Sequence, residues 1–218
     1  MPFENRTDAG EQLARALTLY KGQDIIVLAL PRGGVPVAAE VARYLGAPLD
    51  LLLVRKISVP LQPELAMGAI LDGSDPIIVR NENVIRMYRI SEDVFEEVRE
   101  RELIELERRR EAYLGDRTSI GIKGRIAIII DDGIATGATV RAALKGLRLR
   151  GPKQIVLAIP VAPPDTVAQL RREVDDLVCL EQPAGFGAIG MYYRDFGQVS
   201  DAEVVALLAA ATKSGYAP

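Results

Sequence analysis

The sequence contains no histidine and only one cysteine among its 218 residues. The absence of histidine excludes Ser-His-Asp and Cys-His nucleophile pairs, histidine-ligated metals and c-type haem. The single cysteine, Cys179, excludes an intrachain disulfide and any multi-cysteine zinc site. Its place in an apolar run predicts an unreactive core residue. Any catalysis must therefore use carboxylates, hydroxyls, backbone amides, arginine or lysine.

Long hydrophobic runs are missing as well. The longest stretch without a charged residue covers residues 182–193, which is too short to span a bilayer. The first residues are polar and lack the apolar core of a secretory signal. The net charge of −3 and the pI of about 5.3 do not suggest binding to polyanions. We expect a cytoplasmic protein of one domain that binds neither a membrane nor nucleic acid.

What the chain does contain is an alternation of apolar runs and helical patterns. This alternation predicts an α/β fold with a mostly parallel sheet and helices on both faces. The predicted strands cover residues 25–30, 49–57, 125–132, 154–160 and 176–181. The predicted helices cover residues 8–20, 35–45, 91–113, 137–150, 164–174 and 200–212. Residues 58–90 are predicted to be irregular, with short strands near 66–71 and 76–80.

The helix predicted over residues 91–113 is strongly charged, with acidic residues in its first turn and arginines towards its end. This distribution is favourable for the helix dipole. A solvated face with charge pairs four residues apart is one interpretation, and a nucleic-acid or partner surface is the other. The mixed signs of the charges favour the solvated face.

The segment with the clearest chemistry follows the strand 125–132. Asp131 and Asp132 stand at the carboxyl end of that strand, where open α/β sheets bind ligands. Such carboxylates can accept hydrogen bonds from vicinal hydroxyls or hold a hydrated Mg²⁺. Small residues and hydroxyls follow at a helix N-terminus, which together form a cradle for an anion. The cradle residues are Ala135, Thr136, Gly137, Ala138 and Thr139.

A sugar phosphate would suit both halves of this segment, with its phosphate in the cradle and its hydroxyls on the acids. Two other interpretations are a solvated Asp-Asp turn and the acidic strand of a P-loop NTPase. The turn does not account for the run of threonine, glycine and alanine. The NTPase interpretation fails because the chain lacks G-x-x-x-x-G-K-[ST].

The segment IIIDDGIATGAT resembles the phosphoribosyl-diphosphate signature of the type I phosphoribosyltransferases. The segments PRGGVPVA, VRKISVPLQPELAMGAI and GAIGMYYRDFGQVSDAEV are similar to a stand-alone bacterial group of that family. The resemblance covers roughly residues 3–208. It implies a three-layer α/β fold with a small hood from about residues 1–12 and 181–198, and a flexible-loop and helical insert at about 58–118.

The resemblance also implies an activity. This is the Mg²⁺-dependent transfer of the 5-phosphoribosyl group from phosphoribosyl diphosphate to a nitrogen acceptor, with release of pyrophosphate. The acceptor would be a nucleobase or a similar flat ring, and the protein would be a homodimer. Two alternatives stay open: a regulatory protein that binds phosphoribosyl diphosphate without catalysis, and a Mg²⁺-dependent hydrolase of phosphate esters.

The resemblance assigns roles to residues of the donor site. Asp131 and Asp132 would hold the ribose hydroxyls and the metal, and residues 135–139 would hold the 5-phosphate. The pyrophosphate would be held by Arg32, Gly33, Gly34, Arg55 and Lys56. Exposed glycine amides, a fixed arginine charge and a helix N-terminus support the same role for the first three. The Pro31–Arg32 bond is the candidate for a cis peptide, while an ordinary turn and a surface basic pair are the plainer alternatives.

Further expectations concern the acceptor side. Glu64, in a catalytic loop at residues 57–71 that is mobile in the family, is a candidate for proton transfer. Phe186 would stack on the acceptor ring, or else be a core residue. Asp195 is a candidate third metal ligand. Ala135 stands where the hypoxanthine-guanine branch has an aspartate, which weakens the case for a 6-oxopurine acceptor.

Overall fold

The structure is a computed structural model that describes residues 2–73, 76–115, 117 and 119–213, except for the side chains of Glu64, Thr212 and Lys213. These residues form two compact units. The first unit comprises the chain up to Leu52, Ile120–Gly137 and the residues from Gly151 onwards. The second unit comprises Leu53–Ser119 and Ala138–Arg150. The second unit thus begins before the predicted insert at 58–118 and includes a later helix as well.

The strands follow one another in the order β1 Ile25–Ala29, β2 Leu49–Leu51, β3 Val54–Val59, β4 Gln62–Leu71, β5 Ile77–Arg80, β6 Ile126–Ile130, β7 Gln154–Val161 and β8 Asp176–Glu181. The α-helices are α1 Arg6–Ala16, α2 Gly34–Leu45, α3 Glu82–Met87, α4 Glu92–Leu114, α5 Ala138–Leu149, α6 Pro164–Leu170 and α7 Asp201–Lys213. Short 3₁₀ helices cover Thr18–Tyr20 and Ile189–Tyr192.

The first unit is built on a parallel sheet of five strands in the order β2-β1-β6-β7-β8. Strands β1 and β6 are buried along their whole length, which explains their uninterrupted apolar sequences. Helix α2 packs on β1, β2 and β6, and α1 packs on β7 and β8. The predicted α/β class with a parallel central sheet is confirmed.

The strand order places a topological switch point between β1 and β6. The chain passes from β1 to β2 on one side and later enters β6 on the other side. Ala29 at the end of β1 lies in register with Ile130 at the end of β6. The loops that follow these two strands therefore begin side by side at the carboxyl edge of the sheet, where ligands bind in open α/β folds.

The strand predicted over residues 49–57 is wrong as a single element. The chain leaves the parallel sheet after β2, and β3 then belongs to a separate antiparallel sheet in the second unit, with the order β3-β4-β5. Only two residues separate the two strands, and the pattern of side chains does not show which partner strand each one pairs with. Helix α6 is also shorter than predicted, because it ends at Leu170.

The short strands predicted near residues 66–71 and 76–80 are confirmed by β4 and β5, but the prediction that the rest of residues 58–90 is irregular is wrong for the start of β4 and for helix α3. Residues 54–71 form the hairpin of β3 and β4, whose turn contains Leu61 with a positive φ of 64°. The prolines that suggested irregularity stand in this turn and beside a shift of register near Ser58. Helix α4 agrees with its prediction, since Ser91 caps it and it ends one residue later than expected.

The two predicted parts of the hood come together in the first unit. Phe3 forms a parallel bridge with Tyr193, and the Phe3 amide donates to Tyr192 O at 2.8 Å. Phe3, Ala9, Val161 and Tyr193 form a buried cluster. Within the described ranges, no helix combines the length and the apolar character that crossing a membrane requires.

Candidate active site

Two loops at the carboxyl edge of the parallel sheet bring the predicted acid pair close to the predicted pyrophosphate residues Arg32 and Gly33. The first loop follows β1 and covers residues 30–33, and the second follows β6 and covers residues 131–137. The Leu30 amide donates to Ile130 O at 2.9 Å, which ties the two loops where they begin. The residues predicted for pyrophosphate and for ribose in these loops are therefore neighbours.

The first loop packs directly on the acid pair through its glycines. A Cβ atom on Gly33 would lie 2.0 Å from Asp132 Oδ2, and one on Gly34 would lie 2.7 Å from Ile130 O. The Gly34 amide donates to Leu30 O at 3.1 Å, so it serves the turn rather than facing an anion as expected. The predicted cis bond between Pro31 and Arg32 is confirmed.

Arg32 extends from this loop towards the last helix of the first unit. Its Nη1 lies 3.5 Å from Asp201 Oδ1 at the first residue of α7, and its side chain is 38% exposed. At this distance and exposure the ion pair is weak. The arginine therefore keeps much of its capacity to attract an anion.

Asp131 and Asp132 follow the last residue of β6, where hydrogen bonding and burial limit the movement of their side chains. Asp131 Oδ1 accepts a hydrogen bond from the Asp132 amide at 2.9 Å, and Asp132 is buried. Burial raises the pKa of Asp131 well above its ordinary value, the negative charge of Asp132 raises it further, and the charge of Arg6 opposes the shift.

Arg6 and Tyr193 contact Asp132 and are site residues that the sequence analysis missed. Arg6 Nε lies 2.8 Å from Asp132 Oδ2, and the Tyr193 hydroxyl donates to Asp132 O at 2.5 Å. Arg6 begins an ordinary amphipathic helix 126 positions before its partner. No local pattern could have indicated this pair.

The second loop is anchored at several points while its tip stays accessible. The Ile134 amide donates to Val161 O at 3.0 Å, and Thr166 Oγ1 donates to Ala135 O at 2.8 Å. Gly137 has a φ of 74°, a conformation that favours glycine. The exposed residues of the predicted cradle are Ala135, Thr136 and Thr139. Helix α5 begins at Ala138, one residue later than predicted.

Arg55 and Lys56 do not end a strand of the parallel sheet, so that part of the prediction is wrong. Both lie within β3 of the antiparallel sheet. Arg55 Nε donates to Glu102 Oε2 at 2.8 Å, and its Nη2 forms a second short bond to the same oxygen. Lys56 Nζ donates to Pro63 O at 3.4 Å. The side chain of Glu64 lies outside the described residues.

The hood places Phe186 half-buried, with its ring stacked on that of Tyr192 at a centroid distance of 5.4 Å. Asp195 is exposed and accepts a hydrogen bond from the Gly197 amide at 3.1 Å. Among the residues that the structure describes, no cluster of three or more acidic or cysteine side chains could hold a metal ion. Asp195 is thus not grouped with the acid pair.

Cys179 lies on β8, where its thiol contacts Glu181 O at 3.2 Å. Burial raises the pKa of the thiol to about 11. A thiol with so little thiolate near neutral pH is a poor nucleophile, as expected from the sequence, but Cys179 is half-buried and not the core residue that was predicted.

The chain is similar to known proteins over most of its length. Residues 4–194 match the family model described as a phosphoribosyl transferase domain. The crystal structure of TT1426 from Thermus thermophilus is 40% identical, covers 96% of this chain and 99% of its own, and has a TM-score of 0.84. Proteins from two strains of Mycobacterium tuberculosis, provisionally named phosphoribosyl transferases, are 51% identical over 206 residues. The match covers 94% of this chain but only 46% of the length of those relatives.

The fold and the paired loops define an α/β protein with an acid pair and a glycine-containing loop side by side at the switch point of its parallel sheet. Within that class, the family model spans most of the chain. The chain belongs to the phosphoribosyl transferase domain family.

Proposed function

We propose that this protein transfers the 5-phosphoribosyl group from phosphoribosyl diphosphate to a ring nitrogen of a nucleobase or similar flat acceptor. The observation that carries the proposal is the direct packing of the Gly33 loop on the acid pair, at the switch point of the parallel sheet. A donor with a diol and a diphosphate on the same sugar needs hydroxyl acceptors and anion donors side by side. These two loops supply them.

The reaction breaks the bond between the anomeric carbon and the diphosphate oxygen and forms a bond from that carbon to the acceptor nitrogen. The acceptor loses a proton and pyrophosphate leaves with the bonding electrons. Asp131 and Asp132 would accept the ribose hydroxyls, and residues 135–139 would bind the 5-phosphate. Anchoring at both ends positions the reacting carbon, and the acid charge favours positive charge on the sugar ring.

Arg32 and the Gly33 backbone would bind the leaving pyrophosphate. We extend this role to Arg55 and Lys56, but not to Gly34, whose amide donates to Leu30 O. Arg32 is only weakly paired, so it can contribute most of its charge. The engagement of Arg55 with Glu102 means that its guanidinium would have to serve both groups.

The carboxylate oxygens of the acid pair are suitable ligands for Mg²⁺ held partly through water. This ion is commonly bound by one or two carboxylates together with substrate phosphates and retained waters, and not by a full protein cage. Asp131 and Asp132 provide such a set, and the burial of Asp131 makes a nearby cation favourable for its charged form. When bound, the ion supplies positive charge to the leaving pyrophosphate. Asp195 remains a candidate ligand through water.

On the acceptor side, Phe186 would stack on the ring and Glu64 would take part in proton transfer. The stack of Phe186 on Tyr192 gives the hood an aromatic surface that supports this role. We also propose a homodimer, for which light scattering at micromolar concentration is the test, and a monomer there would contradict it.

Donor binding and chemistry can be tested together. The unfolding temperature of the protein should rise with Mg²⁺ and phosphoribosyl diphosphate. A ligand at 100 times its Kd stabilises the folded state by about 2.7 kcal/mol. Nucleobases and nucleoside monophosphates added in parallel would identify the acceptor. Pyrophosphate should be released only when an acceptor is present. Release without an acceptor would favour a hydrolase, and donor binding without any turnover would favour a regulator.

The acid pair gives the decisive variant. The Asp131→Asn, Asp132→Asn double variant should lose roughly 10²–10³ in turnover, because preorganised charges at the reacting centre are removed. Asp165→Asn is a matched control, since Asp165 lies in the first turn of α6 and has no proposed part in the reaction. Full turnover of the double variant with an identified acceptor would show that the pair has another purpose.

A further inference from the structure

Arg6 ties the acid pair to the hood, and the proposed function gives it no part. It is the first residue of α1, and its Nε lies 2.8 Å from Asp132 Oδ2. The side chains of both residues are 12% exposed. Arg6 Nη1 also donates to Gly197 O at 2.7 Å. One guanidinium thus bonds to a proposed donor-site carboxylate and to the backbone of the hood.

These bonds belong to a ring of contacts that begins and ends at Asp132, which we call the circuit. The Arg6 guanidinium lies 3.9 Å from the centroid of the Phe196 ring, and the centroids of the Phe196 and Tyr193 rings are 4.9 Å apart. Tyr193 completes the circuit by donating from its hydroxyl to Asp132 O at 2.5 Å. Asp132 is therefore held by hood residues through both its side chain and its main chain.

The carboxylate of Asp132 has little room to turn. On one side it meets the backbone of Gly33, where a Cβ atom would lie 2.0 Å from Oδ2. Towards the hood it meets Arg6, whose guanidinium is held by the Phe196 ring and Gly197 O. A planar guanidinium held in this way fixes the orientation of its partner, which a flexible lysine ammonium would not do.

Stability alone does not account well for this arrangement. Largely buried ion pairs gain little net stability, because desolvation of both charges offsets much of their attraction. Their effect on orientation is larger, since a charge-assisted bond holds the geometry of both partners. The same carboxylate is the one that the proposed reaction needs in a defined orientation.

We propose that Arg6 is a positioning residue that fixes the Asp132 carboxylate for the ribose hydroxyls and couples the hood to the donor site. The inference rests on the proposed function, because it assigns Asp132 to the donor. Loss of Arg6 weakens donor binding by freeing the carboxylate. It also raises the acceptor KM, because the hood loses its bond to the donor site.

The test is calorimetric binding of phosphoribosyl diphosphate with Mg²⁺ to the full chain, for the wild type, Arg6→Ala and Arg6→Lys. We expect about 10- to 100-fold weaker binding for Arg6→Ala, the range for loss of a hydrogen bond between charged groups. The donor affinity of Arg6→Lys should lie between those of the wild type and Arg6→Ala. Arg194→Ala is the matched control, because this exposed hood arginine pairs with Glu4 at 2.7 Å. It should bind within about threefold of the wild type.

A readout that a purely structural role would not affect is chemical rescue. Guanidinium chloride should restore part of the donor affinity of Arg6→Ala, relative to an equal concentration of sodium chloride. If Arg6→Ala does not fold, Arg6→Lys decides by the same measurement, with about tenfold weaker binding expected.

Two outcomes overturn the proposal in distinguishable ways. If the wild type binds the donor and the Arg6 variants bind it as well as Arg194→Ala does, the role of Arg6 is wrong and the proposed function stands. If the wild type binds no donor, the proposed function fails and the role of Arg6 fails with it.

Discussion

Gly33 shows how a single residue can be required for its lack of a side chain. The sequence suggested that the glycines after β1 leave backbone amides open to an anion. The structure shows a further reason, since any Cβ at Gly33 would overlap the Asp132 carboxylate. Arg6 is the opposite case, because its role comes from its side chain. That role depends on a partner 126 positions away and on the ring of Phe196. Such a role could not be predicted from the sequence.

Substitution of Gly33 by alanine should therefore displace the acid pair. We expect a loss of unfolding free energy of about 1–3 kcal/mol, the usual cost of forcing an extra group into a packed site. Donor binding should weaken as well, because the carboxylate must move. Urea unfolding and calorimetry measure the two effects.

Gly121→Ala is the control for this substitution, because a Cβ there would meet no atom within 4 Å. It should change stability by no more than about 0.5 kcal/mol. Equal behaviour of the two variants would mean that the Gly33 loop can shift without disturbing Asp132.

At the scale of elements, predictions succeeded where the information was local. Strand β6 and the helix after its loop could be predicted, because an apolar run, two acids and a run of small residues follow one another directly. The separation of β2 from β3 could not be predicted, since strand pairing is set by distant partners. The hairpin of β3 and β4 was missed for a different reason: its prolines stand in a turn and at a register shift, where a strand tolerates them.

The pair of Arg55 and Glu102 connects β3 to α4 within the second unit, and it gives a test at this scale. Both Arg55→Met and Glu102→Gln should lower the unfolding free energy by about 1–3 kcal/mol, because each removes the charge pairing between two largely buried side chains. A double-mutant cycle with urea unfolding measures their coupling.

Donor affinity separates the two roles of Arg55. If Arg55 also binds pyrophosphate, as proposed, Arg55→Met should weaken donor binding while Glu102→Gln leaves it nearly unchanged. Equal affinities in both variants would restrict Arg55 to holding β3 on α4.

At the scale of the whole molecule, the lack of histidine makes the pH dependence of stability unusually simple. The pKa of Asp131 is raised in the folded state, mainly by burial. The folded protein therefore binds more protons than the unfolded chain above the ordinary aspartate pKa. Stability must fall as the pH rises through the folded pKa of Asp131. Burial also raises the pKa of Asp72, which adds a contribution of the same sign.

We expect the unfolding free energy in metal-free buffer to fall as the pH rises above the ordinary aspartate pKa, and to fall less steeply in Asp131→Asn. Asp72→Asn should remove a smaller part of the slope. Urea unfolding at several pH values measures this. An equal dependence of stability on pH in the wild type and in Asp131→Asn would show that the folded protein does not raise the pKa of Asp131.

The stack of Phe186 on Tyr192 has a practical consequence, because the chain contains no tryptophan. Light absorbed at 295 nm, beyond the tyrosine band, would excite nothing in the natural protein. In the variant Phe186→Trp, the new tryptophan would then be the only residue that contributes fluorescence. If the acceptor ring stacks at this position, as proposed, the wavelength and intensity of the tryptophan emission should change when the acceptor binds.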